Sequence, residues 1–212
     1  MTSTLQTRRE DGQALPMLIW RLEPPLLVAS TASVGGGLGL RQWVINAQVA
    51  DDYSRRDQDR HGAELAAAAG LSGDGVVMFT AARVHRNQPG GDSGVQVEAT
   101  VGLKHPTWAA AADEPFLVVP TPGTINIVAI LPVRLADAAL LNALCTVTEA
   151  KSQALIAAGV PGTGTASDAV TVACRADGPA EPFAGPRSVW GARLARAVHT
   201  AVSAGTSGWA DE

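Results

Sequence analysis

Apolar and polar positions along the chain follow the periods of short strands and of helices. Apolar runs bounded by glycine and proline predict strands at residues 17–22, 26–32, 41–49, 75–84, 94–103, 124–133 and 168–175. Apolar positions three and four apart, or runs of alanine, predict helices at residues 63–69, 136–158 and 188–204. Between these elements, Pro24 and Pro25 should separate the first two strands. The glycine cluster 35–39 and the segment 87–92 should be a loop and a turn.

This order of elements predicts an α+β fold, or α/β if parallel pairing dominates. A central, mostly antiparallel or mixed sheet would be flanked by helices. Each half reads as strand, strand containing Ile-Asn, helix and strand, which makes Asn46 and Asn126 equivalent if the chain holds two ββαβ repeats and a C-terminal helix. Because the same order arises by chance in α+β folds, the duplication stays open at this point.

The length of 212 residues favours one domain with a sizeable core. We assign residues 1–15 to a polar N-terminal tail, residues 16–204 to a single catalytic domain and residues 205–212 to a C-terminal tail. The first assignment depends on the charged run from Arg8 to Asp11 and on the lack of an apolar stretch before it, which also argues against a signal peptide.

Composition excludes several classes of protein. A hydrophobic content of 46% excludes a disordered chain, and a net charge of −4 argues against a nucleic-acid partner. No apolar run approaches the roughly 18–20 residues that cross a bilayer, so we expect no membrane insertion. The two cysteines, Cys145 and Cys174, are too few for a disulfide framework and should be reduced and buried. We therefore expect a cytoplasmic protein, and a homo-oligomer is compatible with the sequence.

The common metal and nucleophile motifs do not occur. CxxC, HExxH and DxDxDG patterns are lacking, so no metal site and no required cofactor are predicted. A GxSxG elbow is lacking too, and none of the histidines has an evident partner for a Ser-His-Asp arrangement.

Lys151 is the most informative single residue. The chain has fourteen arginines but only two lysines, and Lys151 occupies an apolar stripe that includes Leu140, Leu144 and Val147. On the face predicted to pack against the sheet, an ammonium needs a carboxylate partner or loses its proton, and either state suits an active site. The alternative is a lysine that extends from the edge of the stripe into solvent.

The loop 161–168, with the sequence PGTGTASD, is the predicted partner of this lysine. Its small residues, Gly164 among them, would let a ligand approach the backbone, while Thr165 and Ser167 offer hydroxyls. Asp168 is the predicted carboxylate partner of Lys151. The alternative is a flexible turn with a capping aspartate.

Other polar residues are less decisive. Glu149 lies two residues before Lys151, roughly 200° away around the helix, so the two cannot share a face. Thr124 and Asn126 lie at the start of an apolar strand, and Asn46 lies within another. A buried asparagine must form hydrogen bonds, so its side chain either bonds to other parts of the protein or contacts a ligand.

Several short motifs occur along the chain in the same order as in one known family. They are Gly36-Gly37, Asn46, Thr80-Ala81, Ala99-Thr100-Val101-Gly102-Leu103, Gly123-Thr124-Ile125-Asn126, Thr148-Glu149-Ala150-Lys151 and Gly164-Thr165 with Ser167-Asp168-Ala169-Val170. Across about residues 26–202 the chain thereby resembles the adenosylcobinamide amidohydrolase family of cobalamin salvage. The resemblance implies hydrolysis of the amide that joins the corrin side chain to aminopropanol, which yields adenosylcobyric acid. The partner would be a small-molecule corrinoid.

Amide hydrolysis needs a base, an oxyanion stabiliser and an acid for the leaving amine. Our hypothesis makes Asp168 or Glu149 the base, and Lys151 the group that stabilises negative charge or protonates the amine. The oxyanion site would use the backbone of Gly164 and Thr165.

The same hypothesis gives substrate binding to a second set of residues, namely Asn46, Thr124, Asn126, Gly164 and Ser167. Thr165 or Ser167 could instead be the nucleophile, a less favoured variant because neither has an evident base. Two competing hypotheses are a non-catalytic corrinoid-binding module and an unrelated amidase or acyl transferase.

Overall fold

Long segments of alternating burial build the sheet of this molecule. The structure, a computed structural model, describes residues 2–112, 123–207 and 209. The helices are α1 (Gln58–Ala68), α2 (Asp137–Ala157) and α3 (Val189–Gly205). The strands are β1 (Thr4–Glu10), β2 (Gln13–Ser30), β3 (Gly37–Gln48), β4 (Gly75–Thr80), β5 (Gln88–Asp92), β6 (Val95–Val101), β7 (Ile125–Leu131), β8 (Arg134–Leu135), β9 (Ala169–Cys174) and β10 (Ala180–Glu181).

Eight of these strands form one mixed sheet. Its order is β4-β3-β2-β9-β7-β6-β5, with β1 paired to β2, and β8 and β10 form a separate parallel pair. The pairs β3 with β4 and β7 with β9 are parallel, because a helix crosses over between their strands. The predicted α+β fold with a mixed sheet flanked by helices is confirmed.

The sheet folds back so that its two halves face each other. An apolar cluster fills the space between them and takes residues from β2, β3, β4, β7 and β9, including Trp20, Met78 and Val128. Helix α1 covers the outer face of β2, β3 and β4, and helices α2 and α3 cover the outer face of the other half. The result is four layers, in the order helix, sheet, sheet and helix.

Both halves have the predicted order of elements. The first runs β2, β3, α1, β4 and the second runs β6, β7, α2, β9. In each half the Ile-Asn strand lies in the middle, between an antiparallel and a parallel neighbour. Asn46 and Asn126 therefore occupy corresponding strands, while the duplication itself stays a prediction.

The N-terminal segment is not a tail. Strand β1 pairs with β2 from the match of Thr4 with Ile19 to the match of Glu10 with Gln13. Asp11 and Gly12 make the connecting turn with φ angles of 49° and 78°, the positive values that a two-residue hairpin turn requires. The charges between Arg8 and Asp11 concealed this hairpin, whose long second strand also crosses the predicted boundary at residue 16.

Two further expectations about breaks in the sheet are wrong. Strand β2 continues through Pro24 and Pro25, since the pairing with β3 shifts register between Arg21 and Leu26 and no ladder donor is needed there. The segment predicted as a turn at 87–92 is mostly strand β5. The turn that follows β5 uses Ser93 and Gly94 instead.

The glycine cluster is not wholly a loop either, because β3 begins at Gly37. Helix α3 ends at Gly205, and residues 208 and 210–212 of the predicted C-terminal tail lie outside the described residues. Within the described ranges, no helix combines the length and the apolar character needed to cross a membrane.

Candidate functional site

A buried ion pair joins helix α2 to the start of strand β9. Lys151 is only 6% exposed, and its Nζ donates to Oδ2 of Asp168. Leu140 and Val147 on the same helix face are fully buried against the sheet. The predicted burial of Lys151 and its predicted pairing with Asp168 are confirmed.

The Asp168 carboxylate is saturated with donors. Oδ1 accepts the N–H of Ile125 at 2.9 Å and the hydroxyl of Thr165, and Oδ2 accepts the N–H of Thr165 at 3.1 Å as well as Lys151. Since a carboxylate has about four acceptor positions, all of them are occupied. Asp168 therefore ties α2, β7 and the loop before β9 into one rigid unit.

Gly164 lets the loop backbone pass directly over this pair. A Cβ at position 164 would collide with Oδ2 of Asp168 and with Nζ of Lys151. The loop is held from its other side by Thr107, whose N–H donates to the Gly164 carbonyl at 2.8 Å. Glycine is thus needed here for close approach rather than for an unusual backbone angle.

Two hydroxyls lie beside the ion pair on the wall of a cavity. Thr124 Oγ1 and Ser167 Oγ are 2.8 Å apart. Thr124 is buried and Ser167 is exposed. Together with Asp168 they line a cavity of about 430 Å³, most of whose other residues follow β2, follow β3 or end β4. The fold therefore places Thr124, Ser167 and Asp168, three of the predicted site residues, on one concave surface.

Asn46 and Asn126 meet behind this cavity rather than on its wall. Asn126 Nδ2 donates to Asn46 Oδ1 at 2.8 Å, and Asn46 Nδ2 donates to the hydroxyl of Thr100 at 2.9 Å. Both asparagines are 1% exposed. This network links strands of the facing halves, which is the structural alternative that the sequence left open.

Glu149 is not brought to the ion pair. It lies on the exposed face of α2 and lines a shallow depression with Ser152 and Ile156. Cys145 shares that outward face and is exposed, contrary to the expectation of burial, whereas Cys174 is buried. The rotation of roughly 200° between residues two apart explains why Lys151 turns inward and Glu149 outward.

A second polar cluster, which no sequence motif indicated, lies at the same cavity. Tyr53 lines the cavity, and its hydroxyl lies 2.9 Å from Nδ1 of His61. On the other side of the imidazole, Nε2 lies 3.1 Å from Oε1 of Glu10. Tyr53 precedes α1, His61 lies on it and Glu10 ends β1, so no local spacing connects them.

Burial shifts the pKa values of His61 and Tyr53 in opposite directions. It lowers the pKa of His61, and the Arg55 and Arg8 charges act in the same direction while Glu10 opposes them. Burial raises the pKa of Tyr53, so the phenol keeps its proton at neutral pH. The imidazole is accordingly neutral near pH 7.

A second cavity of about 650 Å³ adjoins the first and shares Asp51 and Ala81 with it. Its wall carries Arg83 and Lys104, and the Lys104 ammonium lies 3.0 Å from the Asp51 carboxylate. Across the described residues, no three His, Cys, Asp or Glu side chains converge as a metal site would require.

Comparison with known proteins agrees with the motifs. The model of the adenosylcobinamide amidohydrolase family matches residues 1–212. The chain belongs to that family. A Halobacterium salinarum protein named adenosylcobinamide amidohydrolase is 37% identical over 169 residues, which is 74% of this chain and 70% of that protein. A Methanosarcina mazei amidohydrolase of the same name is 28% identical over 186 residues, or 84% and 88% of the two chains.

Among solved structures, the L-aminopeptidase D-Ala-esterase/amidase of Ochrobactrum anthropi is similar at a TM-score of 0.44 and 10% identity, with 97% of this chain and 82% of that one covered. A Burkholderia β-aminopeptidase is similar at a TM-score of 0.44 and 13% identity, with coverage of 96% and 81%.

Proposed function

We propose that this member of the adenosylcobinamide amidohydrolase family hydrolyses the amide between the corrin side chain and aminopropanol. Water adds to the amide carbon, the C–N bond breaks, and adenosylcobyric acid and aminopropanol leave. The observation that carries the proposal is the pair of hydroxyls, Thr124 and Ser167, held on a cavity wall beside the buried pair of Lys151 and Asp168. Membership of the family supplies the identity of the substrate.

The size of the cavities suggests how such a substrate is held. A corrin ring is far too large for a cavity of about 430 Å³, whereas an amide side arm with its aminopropanol fits one. The adjoining cavity of about 650 Å³, with Arg83 and Lys104 on its wall, would receive an edge of the ring and its amides. The side arm would then cross beside Asp51, which both cavities share.

Some of the site residues would contact the substrate, and others hold those residues in position. Thr124 and Ser167 would hydrogen-bond the scissile amide. Lys151 does not line the cavity, so in this proposal it acts through Asp168. Both the N–H and the hydroxyl of Thr165 are taken up by Asp168, which makes Thr165 a brace for the loop rather than an oxyanion donor.

The proposal includes a cytoplasmic location and no required cofactor. Both cysteines are free thiols, the state that a reducing compartment maintains. The corrinoid would be the substrate and the small-molecule partner, and no nucleic acid is involved.

The test is incubation of the full chain with adenosylcobinamide, followed by chromatography and mass analysis. Formation of adenosylcobyric acid with equimolar aminopropanol supports the proposal. Saturable quenching of tryptophan fluorescence without product would point to a corrinoid-binding protein and overturn it. Product should be lost in Asp168→Asn and kept in Glu181→Gln, whose carboxylate lies on the exposed strand β10, away from the cavity.

A further inference from the structure

The cluster of Glu10, His61 and Tyr53 has the geometry of a proton relay. Each imidazole nitrogen has its own partner, with the phenol at 2.9 Å from Nδ1 and the carboxylate at 3.1 Å from Nε2. Glu10 also accepts two hydrogen bonds from Arg8, at 3.0 and 2.8 Å, which fix the orientation of its carboxylate. Nε2 therefore carries the imidazole proton, and Nδ1 accepts from the Tyr53 hydroxyl.

Ring stacking holds the phenol and the imidazole in place. The rings of Tyr53 and His61 both stack on Phe79 at the end of β4, with centroids 5.4 and 5.1 Å away. His61 is 2% exposed, whereas Tyr53 and Phe79 both line the cavity of about 430 Å³. The imidazole in the middle of the chain of hydrogen bonds is thus buried, Glu10 at one end is 23% exposed, and Tyr53 at the other end lines the cavity proposed to receive the substrate amide.

A hydrogen-bonded phenol, imidazole and carboxylate in this order match the arrangement by which a base is oriented in nucleophilic and acid–base catalysis. Asp168 has all its acceptor positions occupied, so it cannot take a proton from water without losing an existing bond. The cavity therefore needs another proton acceptor, and the relay supplies one.

We propose that Tyr53 is a catalytic residue and that His61 and Glu10 act through it. This inference rests on the proposed amide hydrolysis. As water attacks the amide carbon, one water proton passes to Tyr53 Oη while the phenol proton moves to His61 Nδ1, and Glu10 stabilises the imidazolium. The transfers then reverse and deliver that proton to the leaving nitrogen as the C–N bond breaks. The products are the carboxylic acid and the amine, and the relay returns to its starting state.

The test compares Tyr53→Phe and His61→Gln with wild type in the adenosylcobinamide assay. Tyr53→Phe removes one oxygen and keeps the stacked ring, so we expect kcat to fall by about 10²–10⁴-fold while KM changes less than about twofold. His199→Gln, on α3, is the matched control for a histidine outside the cavity.

The pH profile separates a relay from a merely structural cluster. Wild-type kcat/KM should fall on the acid side as His61 becomes protonated and can no longer accept. This limb should lie below the ordinary histidine pKa and be lost in His61→Gln. The charged groups around the phenol and imidazole are Arg8, Glu10, Arg55 and Asp57. Because Glu10 favours the imidazolium, Glu10→Gln should move the limb to lower pH.

The outcomes are distinguishable. Wild type without turnover overturns the proposed hydrolysis, and the relay with it. Wild type that turns over while Tyr53→Phe keeps the wild-type kcat overturns the relay alone. If His61→Gln fails to fold, the Tyr53→Phe result decides, because that variant keeps every ring contact.

Discussion

At the scale of single residues, the pair of Lys151 and Asp168 is the most constrained feature of the site. Both side chains are about nine-tenths buried, with exposures of 8% and 11%. Removing water from two charges is costly, and only close geometry with further hydrogen bonds offsets that cost. Asp168 has those further bonds from Ile125 and Thr165. Loss of either partner would therefore leave a buried charge without its counter-ion.

We expect Lys151→Met to lower the free energy of unfolding by about 3–5 kcal/mol, because Asp168 remains buried without its cation. Turnover should fall to background. The double variant Lys151→Met with Asp168→Asn should regain part of the stability but none of the activity. Urea denaturation and the product assay measure the two effects. Lys104→Met, which breaks an exposed pair, is the stability control and should change the midpoint little. A single variant as active as wild type would remove the pair from the site.

Thr124 provides a second prediction at this scale. Thr124→Val keeps the shape and removes the hydroxyl, so one hydrogen bond to the substrate amide is lost. We expect KM to rise about tenfold, the equivalent of about 1.4 kcal/mol, with kcat nearly unchanged and Thr124→Ser close to wild type. Steady-state kinetics give both constants. A collapse of kcat at constant KM would instead show that the Thr124 hydroxyl acts in the transition state rather than in substrate binding.

At the scale of elements, helix-to-strand contacts decide how closely the layers pack. Strand β5 lies against α3, and at Gly90 the two backbones touch. A Cβ at Gly90 would collide with the carbonyl oxygen of Ala197 on α3, whereas one at the neighbouring Gly91 would meet only the Val95 oxygen at 3.4 Å. The glycine at position 90 therefore sets the separation of this helix from the sheet.

Gly90→Ala should lower the free energy of unfolding by about 1–3 kcal/mol, the usual cost of overpacking, because neither backbone can yield without moving a whole element. Gly91→Ala is the matched control and should lose much less. Thermal or urea denaturation of the two variants side by side measures the difference. Equal losses would show that strand entropy, rather than the contact with α3, explains the effect.

At the scale of the whole molecule, the closing of the N-terminal hairpin over α1 couples stability to pH. Glu10 at the end of β1 and His61 on α1 meet only in the folded chain. There burial lowers the pKa of His61, so the unfolded chain binds a proton at this residue more readily than the folded chain does. Stability from this residue is present above the ordinary histidine pKa and is lost as the pH falls below it.

We therefore expect the wild-type urea midpoint to fall between pH values of about 7.5 and about 5.5, which bracket the ordinary histidine pKa of about 6.5. The fall should be smaller in His61→Gln and unchanged in His199→Gln. Denaturation curves at the two pH values measure it. An identical fall in His61→Gln would show that other groups account for the acid sensitivity.

Local sequence patterns were enough to predict much of this structure. The three-and-four spacing around Lys151 placed the lysine on the buried face of α2, because helix geometry depends only on nearby residues. The charge of that lysine then demanded a carboxylate, and Asp168 was the acidic residue in the loop of small and polar residues at 161–168. The motifs from Gly123 to Val170 were enough to indicate the family, which the comparisons confirm.

The tertiary structure alone decided the rest. The fold decides which face of the loop meets the cavity. It also brings Asn46 to Asn126, and it aligns Glu10, His61 and Tyr53. All three results depend on strands that lie many residues apart in the sequence. Such contacts leave no period in the sequence, since each partner is set by the order of the sheet and the closing of its two halves. The sequence determined which residues must be buried or paired, and the topology of the sheet determined which partners they meet.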